Sequence, residues 1–345
     1  MSRKRGFTLV ELLVVIALIT LLIAILLTVI SRALRPARVL ASPIAYLNFP
    51  EKRLYVADAR GQGQLDVYGA KGDAPQSDVA WSPSGQRIAF RTARFDRKGA
   101  PVSQEMIIVN PFTGQYRALA MGLSEDWAGW LDSSQIAIRA NFGGLRIVDV
   151  ESGVVVREVL QSVPQSGDEG SYRFVFLSPF PHGKQYIGGG TYWFGRKPQW
   201  AVIAVLRSDL SRGKIVWESR SAPWASAGFG RPHIDPTGQW VAWDIEARDG
   251  EQWKSLIAVK PIQEDPSRMP TFLNIAETIP GGSGGIVCDW TEDGNLLLNV
   301  YFPAAAERKF RLAVVDRNGR LLRVLPITEV GPELHSVSWR KYYHQ

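Results

Sequence analysis

The sequence predicts an all-β protein, a six-bladed β-propeller preceded by one N-terminal transmembrane α-helix. Three observations carry this: an apolar run near the N-terminus, a strand-turn-strand segment that recurs along the chain, and the loss of helical periodicity after about residue 42.

The apolar run covers residues 7–30, 24 residues in which Glu11 is the only charge. At helical rise it spans about 36 Å, more than a hydrocarbon core of about 30 Å. It is too long for the apolar region of a cleaved secretory signal, and the small-residue stretch Val39-Leu40-Ala41 lies well beyond its end. A carboxylate in such a helix is costly, so Glu11 needs a cationic partner and marks a functional position. Pro36 is expected to end or kink the helix near Arg35. The chain then divides into 1–6, a helix at 7–35, a linker at 36–43 and a propeller at 44–345.

From residue 42 onward, short runs rich in Val, Ile, Tyr, Phe and Trp alternate with Gly, Pro, Asp and Asn. Residues 79–90, VAWSPSGQRIAF, set a template: a strand ending in Trp, a Pro/Gly turn, and a second apolar strand. Taking Trp81, Trp130, Leu177, Ile234, Trp290 and Trp339 as equivalent gives spacings of 49, 47, 57, 56 and 49 residues. Third and fourth strands follow the template, as at 106–110 and 114–119, so each unit has the strands of one propeller blade. The last unit stops at an innermost strand, 336–339, whereas 44–49, 53–58 and 64–68 are three strands lacking one. Pairing the two ends closes a sixth blade, removes the exposed edges at that joint and ties the C-terminus to the start of the domain. A seventh blade requires 44–49 to be innermost, and the interval to Trp81 is short for that. The recurring Trp residues are expected to pack between blades.

Chemical motifs are sparse. Residues 281–285, GGSGG, satisfy the Gly-x-Ser-x-Gly pattern through glycine content, without the strand and helix a nucleophile elbow needs. His182, His233, His335 and His344 share no metal-ligand spacing, although His233 and His335 stand near inner-strand positions. Residues 289–295 carry acids near a Gly without calcium-loop spacing. Cys288 is the only cysteine, which excludes an intramolecular disulfide and reads as a small buried hydrophobe. No metal, cofactor or catalytic residue is expected. The net charge of +7 includes Arg3, Lys4 and Arg5; without those three the chain carries about +4, weak grounds for nucleic-acid binding. Segments 91–104, 162–171, 191–199, 220–231 and 263–285 exceed minimal hairpins. Tyr192, Trp193, Phe194, Trp224 and Phe229 lie on or beside them as a candidate binding surface.

The N-terminus, with basic Arg3-Lys4-Arg5, then Gly6-Phe7-Thr8-Leu9-Val10-Glu11 and the apolar run, resembles the prepilin family. That resemblance implies a leader at 1–6, cleavage between Gly6 and Phe7 by a prepilin peptidase, N-methylation of Phe7, and pairing of the new ammonium with Glu11 of the same chain or of a neighbouring pilin or pseudopilin subunit during assembly. Arginines flank both ends of the apolar run, so the charge distribution leaves orientation open. The resemblance places the N-terminus in the cytoplasm, the helix in the bacterial inner membrane as a single pass, and the propeller in the periplasm or outside the cell. The repeats resemble TolB-like and WD-type propellers, which host many functions. The expectation is a non-enzymatic, pilin-like or pseudopilin-like protein presenting the propeller to a protein or carbohydrate ligand. It would be a minor subunit of a type IV pilus or type II secretion-like system. The alternatives are a TolB-like envelope scaffold that uses the helix only as an anchor, and a carbohydrate-active envelope enzyme using the channel.

Overall fold

A computed structural model describes residues 9–48, 51–69, 74–98, 101–123, 125–140, 144–159, 170–194, 197–221, 226–249, 252–303, 310–327 and 337–340. The apolar run forms helix α1, Leu9–Leu40, long and apolar enough to cross a membrane. The helix does not end at Arg35; it continues through Pro36. Proline removes one donor, but the last turn is held by other means. Val39 is fully buried in the propeller core, Ala41 N bonds Ala37 O, and the Ser42 hydroxyl bonds Arg38 O at 2.7 Å. The segment expected to be a linker is therefore the docking end of the helix.

Blade one begins with β1 (Ile44–Asn48), β2 (Arg53–Ala57) and β3 (Leu65–Gly69). Blade two is β4 (Ala74–Trp81), β5 (Ile88–Phe95), β6 (Pro101–Val109) and β7 (Tyr116–Met121). Blade three is β8 (Asp126–Trp130), β9 (Gln135–Arg139), β10 (Leu145–Asp149) and β11 (Val155–Val159). Blade four has longer strands: β12 (Gly170–Pro179), β13 (Tyr186–Phe194), β14 (Lys197–Leu206) and β15 (Arg212–Glu218).

In blade five the innermost strand is split into β16 (Ser226–Phe229) and β17 (His233–Ile234), both paired with β18 (Trp240–Asp249). Its outer strands are β19 (Gln252–Pro261) and β20 (Thr271–Asn274). A single helical turn, α2 (Ile275–Thr278), leads to blade six: β21 (Gly284–Trp290), β22 (Leu296–Tyr301), β23 (Phe310–Val315) and β24 (Leu321–Val324). Finally β25 (Val337–Trp339) pairs with β1, Ile44 opposite Trp339, and becomes the innermost strand of blade one. The ring thus has six blades, closed by its two ends.

The ladders correct one repeat. Trp81, Trp130, Ile234 and Trp290 are the last inner-strand residues paired before the turn, and in blade four that place belongs to Pro179 rather than Leu177. Phe180-Pro181-His182-Gly183 is the counterpart of Ser82-Pro83-Ser84-Gly85, with Gly183 at φ 72° and Gly85 at φ 66°. The sequence Leu-Ser-Pro at 177–179 mimics Trp-Ser-Pro at 81–83, two residues out of register. Segment 263–285 is no insertion either, because β20 and α2 occupy it.

Antiparallel order gives the ring two unlike ends. Inner strands finish at the end that carries the β2–β3 and β6–β7 turns, and α1 docks there. Arg35 Nε donates to Pro111 O at 2.7 Å, Arg38 to Gln64 O at 3.5 Å, and Arg340 to Leu40 O. The extended hairpins β5–β6, β13–β14 and β18–β19 turn at the opposite end. We call these the near and far faces.

Candidate functional site

All six inner strands contribute to one central cavity of about 70 Å³, lined from Val79–Pro83, Gly129, Trp130, Leu177–Pro179, Arg231, His233, Cys288, Asp289, Ser338 and Trp339. Its geometry follows from equivalent positions. One residue before the last inner-strand pair stand Ala80, Gly129, Ser178, His233, Asp289 and Ser338. Three successive blades thus place small residues around the channel, and three place polar ones.

Three residues before that pair stand Asp78, Trp127, Phe176, Arg231 and Val287. Arg231 reaches across the channel from blade five to blade two. Its Nη2 lies 3.4 Å from Asp78 Oδ1 and donates to Trp127 O at 3.3 Å, and the guanidinium sits 5.7 Å from the Trp127 ring centre and 5.6 Å from that of Phe176. The break between β16 and β17 frees Arg231 from the ladder to make this crossing. Asp78 has a left-handed backbone, φ 70°, as its strand bulges toward the axis. Its other oxygen lies 3.3 Å from Arg91, which bonds Asp126 at 2.9 Å, and Asp126 accepts from Arg139 at 2.8 Å. Burial pushes the Arg231 guanidinium below its usual value, with Asp78 opposing that shift.

On the polar side, Asp289 accepts from the Ser338 hydroxyl at 3.0 Å, from Trp339 N at 3.1 Å and from Trp290 N at 2.8 Å. His233 Nδ1 lies 3.8 Å from Asp289 Oδ1. Of the histidines, His233 therefore does line the channel, His182 is exposed in the near-face turn of blade four, and His335 and His344 lie outside the described residues. Cys288 is buried, and burial raises its thiol pKa. Among the described residues no three His, Cys, Asp or Glu side chains are grouped to hold a metal ion. Residues 281–285 follow a helical turn and enter a strand, the reverse of an elbow's order.

The tryptophans do join blades. Trp130 Nε1 donates to Ala80 O at 3.1 Å and Trp290 Nε1 to His233 O at 2.8 Å, each bonding the inner strand of the preceding blade.

Tyr192, Trp193 and Phe194 end β13 on the far face. Tyr192 stacks on Trp200 with centroids 4.3 Å apart and meets Tyr172 edge-on at 4.9 Å. Arg173 covers Trp193 at 4.3 Å, and Phe194 is 47% exposed. Glu218 ties the cluster by accepting from Tyr172 and Trp200 Nε1 at 3.2 and 3.1 Å. Phe229 ends β16, opposite Ile245, and Trp224 lies outside the described residues. Glu11 sits in the first turn of α1, exposed, while Gly6 and Phe7 lie outside the described residues.

The sequence reading did not single out Asp78 or Arg231. A signal existed: both stand three residues before their strand-end residues, Trp81 and Ile234, in blades that face each other across the ring. It also missed Asp244, on β18 against the backbone of Gly230, where a Cβ would meet both carboxylate oxygens. Burial raises its pKa from 3.8 to about 7. The unfolded chain releases that proton near 3.8 and the folded chain only near 7, so stability from this group is full below 3.8 and is lost as pH rises through about 7. Asp244→Asn is expected to flatten this dependence and to stabilise the protein at pH 8 by about 2–4 kcal/mol, read as urea midpoints from pH 5 to 8. A wild type equally stable across that range would refute the assignment.

The class of protein defined by these features is a six-bladed propeller carried on a helix able to span a membrane. Residues 1–27 match the family model described as the prokaryotic N-terminal methylation motif, so the anchor carries a prepilin-type segment. The match covers the anchor and leaves the propeller outside it. Solved structures that match this chain include the hydrazine synthase of Kuenenia stuttgartiensis, 11% identical over 79% of this chain and 76% of that one, TM-score 0.47. A eukaryotic initiation factor is 12% identical over 88% of this chain and 89% of that one, TM-score 0.39. Neither likeness bears on activity. No curated protein matches this chain in sequence.

Proposed function

We propose that the chain is a pilin-like or pseudopilin-like protein, a minor subunit of a type IV pilus or type II secretion-like system, whose propeller is a non-enzymatic binding module. The carrying observation is the methylation motif on a helix that docks at the near face, opposite the extended hairpins. In this reading the N-terminus is cytoplasmic, the near face looks toward the membrane, and the far face with Tyr192, Trp193 and Phe194 meets a protein or carbohydrate partner outside the cytoplasm.

Mass spectrometry of the protein extracted from membranes tests the first step. The expected N-terminus is N-methylated Phe7; a chain starting at Met1 or Ser2 would end the processing claim. Glu11→Gln is expected to leave the propeller folded while incorporation into the pilus or secretion complex falls at least about tenfold, since a buried ammonium would lose its counter-charge. Unchanged incorporation would make the helix a plain anchor.

A further inference from the structure

The central cavity is a cup, and its floor is a buried cation. Arg231 is 4% exposed and spans the channel, so the space on its near-face side is bounded below by a guanidinium. Its contacts with Asp78 and Trp127 O, at 3.4 and 3.3 Å, are both made by Nη2, and among the described residues its Nε–H meets no hydrogen-bond partner. A buried N–H of a charged group left unmet is costly, more so than a neutral donor.

The space beside it is not accidental. Ala80, Gly129 and Ser178 hold the cup open on one side, and Trp81, Trp130, Leu177 and Trp339 give it apolar walls. The Ser178 hydroxyl is turned away to bond Pro232 O at 2.8 Å. On the opposite side Asp289 is occupied by Ser338 and by two backbone N–H groups, so it offers the cup a satisfied carboxylate rather than a cation site. Three guanidiniums, Arg231, Arg91 and Arg139, share Asp78 and Asp126. Positive charge on the floor, a spare charged donor and apolar walls select a negative guest.

We propose that this cup binds a small monovalent anion of carboxylate size through the Nε–H of Arg231. A cavity of about 70 Å³ has room for one such ion or, at about 30 Å³ each, about two waters, which leaves little room for larger anions. Water would supply a hydrogen bond but no charge. The carboxylate can be a free ion or the end of an acidic side chain from a partner.

The test uses the full chain in detergent micelles, with sodium formate replacing sodium gluconate at constant ionic strength. Gluconate carries a hydroxyl-bearing carbon next to its carboxylate and is too bulky for the cup, whereas the γ-carboxylate of N-acetylglutamate stands on an unbranched two-carbon stem. The expected result is a saturable rise in Tm of about 3–6 °C. Arg231→Met should abolish the rise. Because that change also cuts the cross-channel strut, Ala80→Val serves as the second variant: it fills the cup, leaves Arg231 in place, and should likewise abolish the response. N-acetylglutamate separates the sources: a matching rise shows that the cup admits an acidic side chain, and a response to formate alone confines it to a free ion. No saturable rise in the wild type, or a rise that survives Ala80→Val, overturns the proposal and leaves only water in the channel.

Discussion

Removing residues 337–345 is expected to abolish the folded propeller. The three residues of β25 make the innermost strand of blade one, and they are used on every side. Val337 and Trp339 are buried at 1% and 4% exposure, Ser338 bonds both Asp289 and Trp81 N, and Arg340 bonds Leu40 O and Pro43 O. Burial of a Trp and a Val alone contributes about 4–8 kcal/mol by the cost of truncating such side chains. That is comparable with the whole stability of a domain, about 5–15 kcal/mol. Truncation also bares the inner edge of β1, an apolar strand of Ile44, Tyr46 and Leu47 that would pair with other chains. The expected readout is loss of the cooperative thermal transition, with aggregation of the detergent-solubilised chain. Trp339→Ala should give an intermediate case, a Tm lower by at least about 5 °C. A truncated chain that still melts cooperatively within about 5 °C of the wild type would mean that end-to-end closure contributes little.

That closing joint was legible in the sequence because turn chemistry is local. Ser82-Pro83-Ser84-Gly85, Asp235-Pro236-Thr237-Gly238 and Thr291-Glu292-Asp293-Gly294 each require a glycine with positive φ at the same offset, so the period can be counted without tertiary information. Blade four defeated the alignment, because the Leu-Ser-Pro at 177–179 carries the same letters as the template while the actual turn, Phe180 to Gly183, follows it. Pro36 misled for the complementary reason. Its local penalty is real, but buried Val39 and the bond from Arg35 to Pro111 are tertiary and outweigh it. The prepilin-type segment was readable because its Gly6, Phe7 and Glu11 lie within six residues of one another. Arg231 and Asp78 were not, since their meeting depends on six blades closing into a ring and on bulges that turn each chain toward the axis.

Gly129→Ala is expected to cost at least about 3 kcal/mol, although it adds one methyl group. Gly129, on the inner strand of blade three, lies against Leu177 on the inner strand of blade four. A Cβ there would be driven into the Leu177 carbonyl oxygen and would lie 2.9 Å from the carbonyl carbon, and because both atoms are backbone no rotamer can relieve the overlap. The neighbouring strand must move, and with it the Ser178 hydroxyl that bonds Pro232 and so braces the break carrying Arg231. Gly183→Ala is the control. Gly183 has positive φ, 72°, but a Cβ there meets nothing within 4 Å, so only the conformational penalty of about 1–2 kcal/mol applies. Urea midpoints of the two variants measure the difference directly, and equal losses would show that the blades are not in backbone contact at the channel. The contrast extends to the cup: Gly129→Ala should also weaken the formate response by displacing its wall, whereas Gly183→Ala should leave that response intact.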